Sequence, residues 1–350
     1  MKFAKYGKYC DYFLIIASFL LLIFGSTKKF DNFTIILSII NMFLVIISWL
    51  LMKRRIRLPN TFKAYLIFLV FLIINCVLFG GNISYILMCI SGGLLWLMVY
   101  NLKETISKYL FPAIVILGIL LSGIYIWSTI NGIYSTNFTS LYLPLYKGMP
   151  HNHLGDIWAI ILVGLIYKMF QKFQKWHIPL FIIGISMVLM SFSRSAILSL
   201  IVGSLYIYYK SDRMKIPQWA TITILLLSAF IFLYFGIFKT TLLSRPYIFE
   251  SIASLIKYPL GIGVGNFNKI SVESSATHNV ILEFVTGMGI LSAIFIVWLL
   301  KVYKSLKEVC VNVLYTAMFL AIFVNFLFDV TYTIPTMNWL LFSTLALTIL

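Results

Sequence analysis

Hydrophobic positions run along this chain in long unbroken blocks rather than in alternation. Stretches of about 20 apolar residues recur over its whole length, and each can cross a ~30 Å hydrocarbon layer as an α-helix. The blocks predict spans at 12–25, 33–52, 61–79, 84–101, 110–131, 154–170, 178–193, 195–209, 219–238, 279–300, 312–331 and 333–350. A membrane barrel would show short alternating segments instead, and the pattern has none. The expectation is an all-α, polytopic transmembrane helix bundle of about twelve spans. No repeat or soluble domain interrupts it, so residues 1–350 read as one membrane-embedded domain.

Composition agrees. Hydrophobic residues make up 61% of the 350 positions and charged residues 11%, with a mean hydropathy of +1.00. A water-soluble domain carries about 25% charged residues. The net charge of +17 would suit nucleic acid, but the cations sit in short loops between apolar blocks, which argues against that partner. Cys10, Cys76, Cys89 and Cys310 have no paired spacing, so neither a disulfide nor a metal site is expected from them. The first 25 residues have a basic start and an apolar run without a small-x-small cleavage site. They read as an uncleaved first helix.

Charge then sets orientation, because cytoplasmic loops are enriched in Lys and Arg. One set of connections holds Lys2, Lys5, Lys8, Lys53, Arg54, Arg55, Arg57, Lys63, Lys103 and Lys108. It continues with Lys168, Lys172, Lys175, Lys210, Arg213, Lys215, Lys301, Lys304 and Lys307, making 19 of the 27 basic residues. The alternate set holds only Lys28, Lys29, Lys147, Arg194, Lys239, Arg245, Lys257 and Lys269. The first set is read as cytoplasmic, with both termini inside a bacterial inner membrane.

Segment 178–209 tests that reading. As one straight helix its ~32 residues would run about 48 Å, too long for a bilayer. Its two flanks are both basic, so the chain must turn back at Ser193-Arg194-Ser195 on the outer side. An arginine sunk there is costly and calls for an anionic partner.

Two outer connections can hold chemistry. The first, 131–153, ends in Lys147-Gly148-Met149-Pro150-His151-Asn152-His153. The second, 239–278, is the longest polar stretch. Within it, 244–258 reads as an amphipathic helix with Ile248, Phe249, Ile252, Leu255 and Ile256 on one face, suited to the outer interface. Arg194 and Arg245 stand out because outer faces are poor in arginine, and the planar guanidinium binds phosphate oxygens in pairs. The bland alternative is pairing with Glu250, Asp156 or Glu283, or snorkelling to headgroups. His278 opens span 279–300, where it is either an ordinary polar cap or a proton acceptor. Glu283, about 7.5 Å deeper, should face the bundle and pair with a cation or orient the site, and Asp329, near the outer end of span 312–331, could play the same structural part. Gly261-Ile262-Gly263-Val264-Gly265 follows no strand, so it reads as a tight return of the chain rather than a nucleotide loop.

At these residues the sequence resembles the O-antigen ligase and polysaccharide polymerase superfamily of integral membrane glycosyltransferases. The pieces are Ser193-Arg194-Ser195, Arg245, and the run Tyr258-Pro259-Leu260-Gly261-Ile262-Gly263-Val264-Gly265-Asn266-Phe267. His278-Asn279-Val280-Ile281-Leu282-Glu283 with Gly287 and Gly289, and Asn152-His153-Leu154-Gly155, complete the likeness. It covers about 145–300; the first 130 residues match only in hydropathy. The resemblance implies transfer of a glycan from an undecaprenyl-diphosphate carrier to a hydroxyl on the outer face. Arg194 and Arg245 would hold the diphosphate, and His278 would orient or deprotonate the acceptor. Asn279, Glu283, Asn152, His153 and Lys147 would support them. It implies no cofactor and no metal, and it leaves room for a chain-length regulator as a further partner. A polymerase would use another lipid-linked repeat unit as acceptor, and a ligase would use lipid A core. The modest outer loops tilt the expectation toward a polymerase. A membrane transporter or lipid-glycan flippase is the rival of another class; it would place charge at mid-depth in repeated halves.

Overall fold

The computed structural model describes residues 32–52, 56–130, 141–142, 147–149, 151–191, 193–210, 246–271, 277–308 and 311–348. The expected spans 12–25 and 219–238 lie outside these residues, as do Lys239 and Arg245.

Every other apolar block forms helix. In chain order these are α1 (Asn32–Met52), α2 (Phe62–Phe79), α3 (Ile83–Asn101) and α4 (Lys103–Ile130). After a minimal hairpin, β1 (Leu141–Tyr142) against β2 (Lys147–Met149), come α5 (His151–Gln171), α6 (His177–Met190) and α7 (Arg194–Lys210). The remainder comprises α8 (Pro246–Lys257), α9 (Val280–Met288), α10 (Ala293–Glu308), α11 (Val313–Phe328) and α12 (Pro335–Thr348). Among the described residues, five helical stretches are long and apolar enough to cross a membrane: 62–79, 83–101, 103–127, 152–171 and 280–307.

Packing centres on α5. Ile157 through Val163 are fully buried on every side, as befits a helix that is apolar all round. It is enclosed by α4, α6, α7 and α11. Helix α11 passes the contact on to α12, which packs on α3, and α3 meets α1 and α2. The outer helices show the opposite pattern. Leu50 is 72% exposed and Val77 76%, which suits a lipid-facing surface. Close approach among the inner helices relies on small residues, as it must where lipid tails are as apolar as leucine. A Cβ on Gly155 of α5 would lie 2.1 Å from the Ser191 Oγ after α6.

The expected single helix 279–300 is broken. A 3-10 turn at Gly289–Ser292 separates α9 from α10. The cause is tertiary. The Gly261–Gly265 run folds against the break, with the Ile290 N–H donating to the Pro259 carbonyl at 2.8 Å and the Gly263 N–H to Gly287 at 2.9 Å. Gly261 and Gly289 sit at φ +86° and +58°, and a Cβ on either would overlap backbone at 2.1 Å. Only glycine fits both positions.

Cross-chain bonds define two unlike ends: Asn101 pairs with the Arg57 backbone and Tyr315 with the Ser107 carbonyl at one, whereas Asn152 bonds Asp329 and Asn279 bonds the Leu327 carbonyl at the other. At one end lie Arg57, Lys63, Lys103, Lys108, Lys168, Lys172, Lys175, Lys210, Lys301, Lys304 and Lys307. The opposite end holds the starts of α3, α5, α7 and α9 and the finish of α11, with Lys147, Arg194, Lys257 and Lys269.

Candidate functional site

The site is built at the cation-poor end, from the start of α9 outward. Asn279 caps that helix: its Oδ1 accepts the N–H groups of Ile281 (2.9 Å) and Leu282 (3.0 Å). Its Nδ2 donates to the Leu327 carbonyl in the last turn of α11 at 2.9 Å. One side chain therefore starts α9 and ties it to α11. The residue before it, His278, is held at φ +52°. Non-glycine residues adopt that region sparingly, and such strain collects at functional positions.

The imidazole has a carboxylate behind it. His278 Nδ1 lies 3.9 Å from Asp329 Oδ1, with the His side chain 40% exposed and the Asp 9%. Asp329 follows α11, and its Oδ2 accepts the Asn152 amide from α5 at 2.7 Å. Three helices thus converge on one carboxyl group. His153, the next residue of α5, is fully buried, within electrostatic reach of Asp329. Neither of its ring nitrogens has a hydrogen-bond partner among the described residues.

Glu283 was expected to pair with a cation or orient the site, and the cation is not what it meets. Its Oε1 accepts the Gly265 N–H at 2.9 Å, and its Oε2 accepts Thr277 Oγ1 and the Tyr332 hydroxyl, each at 3.2 Å. Burial, and then the nearby Glu283 carboxylate, raise the Tyr332 hydroxyl well above its ordinary pKa, so it remains a donor. Three neutral donors replace the cation because the carboxyl group lies inside the clasp between the glycine run and α9. Glu283 fastens that clasp.

The turn between α6 and α7 falls at the expected place. Ser193 Oγ accepts the Ala196 N–H at 3.2 Å and so caps α7, whose first residue is Arg194. The hydroxyls on both sides of the arginine, Ser193 Oγ and Ser195 Oγ, donate to Asp156 Oδ1 at 3.1 and 3.2 Å. Arg194 is half-buried. Among the described residues it makes no ion pair, with Asp156, Glu250 and Glu283 included.

Asn152 and Asp156 are four residues apart on α5, about 6 Å along its axis. The His278 group and the Arg194 turn therefore rest on successive turns of one helix. Lys147 lies on β2, just ahead of α5, and Arg245 lies outside the described residues. No family model matches the chain, and no curated protein matches its sequence.

The chemistry of the site is limited and specific. A carboxylate 3.9 Å from Nδ1 favours positive charge on the imidazole, which suits the ring to accepting a proton. A guanidinium at a capped helix N-terminus suits an oxyanion. No three His, Cys, Asp or Glu side chains among the described residues come together as a metal ion would require. Sequence reasoning gave Asp329 only a structural part and missed Thr277 and Tyr332. A carboxylate at a span end was the available signal for the first; hydroxyl residues are too common in such helices to mark the others.

Proposed function

We propose that this chain is a membrane glycosyltransferase that moves a glycan from an undecaprenyl-diphosphate carrier to a hydroxyl acceptor, as a surface-polysaccharide polymerase similar to the O-antigen ligase and polymerase superfamily. The reading has twelve spans, with 12–25 and 219–238 completing the bundle. Both termini are cytoplasmic, the site is extracytoplasmic in a bacterial inner membrane, and α8 lies in the outer interface. The observation that carries it is the meeting of the carboxylate-backed His278 and the Arg194 turn on adjoining turns of α5, at the end poor in cations.

In this reading the lipid-linked donor enters sideways from the outer leaflet. Arg194 and Arg245 hold its diphosphate and stabilise the charge that grows on it. The acceptor oxygen bonds to the anomeric carbon as the bond from that carbon to the phosphate oxygen breaks. Undecaprenyl diphosphate leaves, and His278 Nε2 takes the acceptor proton. Asp329, 3.9 Å from Nδ1, stabilises the imidazolium that forms. The apolar exposed face of α8, with Phe249 and Ile256 66% and 85% exposed, supports an interfacial position beside the entry.

The test is purified protein in liposomes with a lipid-diphosphate oligosaccharide. Chain growth is the expected result. Transfer only to lipid A core would make the protein a ligase, and no transfer to either acceptor would defeat the reading. Reporter fusions that put residue 194 or 278 in the cytosol would defeat it independently.

A further inference from the structure

We infer that Asp156 is the positioning residue for Arg194. The inference deepens the proposed function, since it concerns how the diphosphate-binding arginine is aimed. Asp156 lies in the second turn of α5 and is fully buried. One of its oxygens receives the hydroxyls of the residues immediately before and after Arg194. Those hydroxyls are themselves 2.9 Å apart, so they grip the carboxyl group as a pair. With its amide nitrogen turned inward, Asn325 of α11 comes within 3.1 Å of the same oxygen and 3.0 Å of the Ser195 carbonyl. The backbone on both sides of Arg194 is thereby fixed to α5 and α11.

This arrangement is more than a helix cap. Ser193 alone caps α7 through the Ala196 N–H, and a cap needs no buried carboxylate. The carboxyl group reaches past that cap, to the hydroxyls on both sides of Arg194. A guanidinium on a flexible stem binds a diphosphate through paired contacts only if its base is held still. Asp156 supplies that hold through two serines and never touches the ligand.

The test measures donor KM and kcat in the liposome assay for wild type, Arg194→Ala, Asp156→Ala, Asp156→Asn and the Arg194→Ala/Asp156→Ala double variant. Asp156→Ala should raise donor KM about 10- to 100-fold with kcat changed less than about 3-fold, as Arg194→Ala does. Asp156→Asn keeps an acceptor oxygen for both serines and should stay within about 3-fold of wild type. The double variant should be no worse than Arg194→Ala alone, because both changes remove one function. An unchanged KM in Asp156→Ala, or losses that add in the double variant, would overturn the inference. A merely structural carboxylate would lower the unfolding temperature and leave KM alone. If Asp156→Ala does not accumulate, Ser193→Ala/Ser195→Ala cuts the same link from the other side. A nitroxide at Arg194→Cys, in a chain with its four native cysteines replaced, separates this inference from the functional reading. Its spectrum should sharpen when Asp156 is removed, whether or not transfer is observed. No sharpening defeats the inference, whereas absence of transfer in wild type defeats the functional reading.

Discussion

At the basic end of the bundle, Lys168, Lys172, Lys175, Lys301 and Lys307 stand exposed on helix ends and short loops. At the opposite end Asp156, Glu283 and Asp329 are buried, and each is reached by donors from distant parts of the chain. The first end has many charges, spread over exposed positions. The second has few, and each is held by two or three elements. In the proposed topology number sets the orientation of the chain, whereas placement sets what the chain can do there.

The largest effect should come from the placed imidazole. His278→Ala is expected to lower glycan transfer about 10²- to 10⁴-fold while protein abundance stays near wild type. Activity in liposomes and quantitative immunoblotting of membranes check the two halves separately. Loss of the protein along with the activity would make His278 a structural residue and remove the functional half of the comparison.

The clasp beneath it comes next. Gly289→Ala puts a Cβ 2.1 Å from the Pro259 carbonyl oxygen at a positive φ. The cost should be about 2–4 kcal/mol, seen as a large fall in unfolding temperature in detergent. Gly261→Ala should match it, because the two glycines face each other's segments. Full tolerance of either would mean that the α9–α10 break does not depend on the glycine run. Glu283→Gln should cost less, about 1–2 kcal/mol. The new amide keeps the Gly265 bond through its oxygen but turns donors toward the Thr277 and Tyr332 hydroxyls, which must then reorient. Thermal unfolding measures this too, and a loss equal to that of Gly289→Ala would place the carboxyl group at the centre of the clasp rather than at its edge.

These differences follow what a one-dimensional pattern can carry. The helices α1 to α7 could be read from apolar blocks because a bilayer demands length and hydropathy, both local properties. The turn at Arg194 could be read because two basic flanks force an even number of crossings. The break at Gly289 could not, since Gly287-Met288-Gly289 lies inside an apolar run and becomes a turn only when Pro259 and Gly261 arrive from elsewhere in the chain. Asp329 looked like another span-end carboxylate. Its link to His278 and Asn152 spans 51 and 177 residues of sequence separation, and no spacing rule reports such distances. Glu283 was expected inside the bundle, pairing with a cation or orienting the site; it is buried there, and among the described residues it meets a backbone N–H and two hydroxyls.

The smallest expected effect bears on the comparison most directly. Lys172 and Lys175 both sit exposed in the connection between α5 and α6, at the far end of the same helix that carries Asn152 and Asp156. If that end acts by number, Lys172→Gln with Lys175→Gln should leave transfer within about 2-fold of wild type and the unfolding temperature unmoved. Lys168, Lys210 and the α10 lysines keep the positive bias that sets orientation. Donor KM and thermal unfolding of the double variant are the measurements. Lost transfer in a chain still correctly inserted would mean that charge at the basic end reaches the chemistry through α5, which is buried from His153 to Leu165. Lost insertion would mean instead that two of the eleven cations described at that end decide orientation, and that the basic end too is a matter of placement.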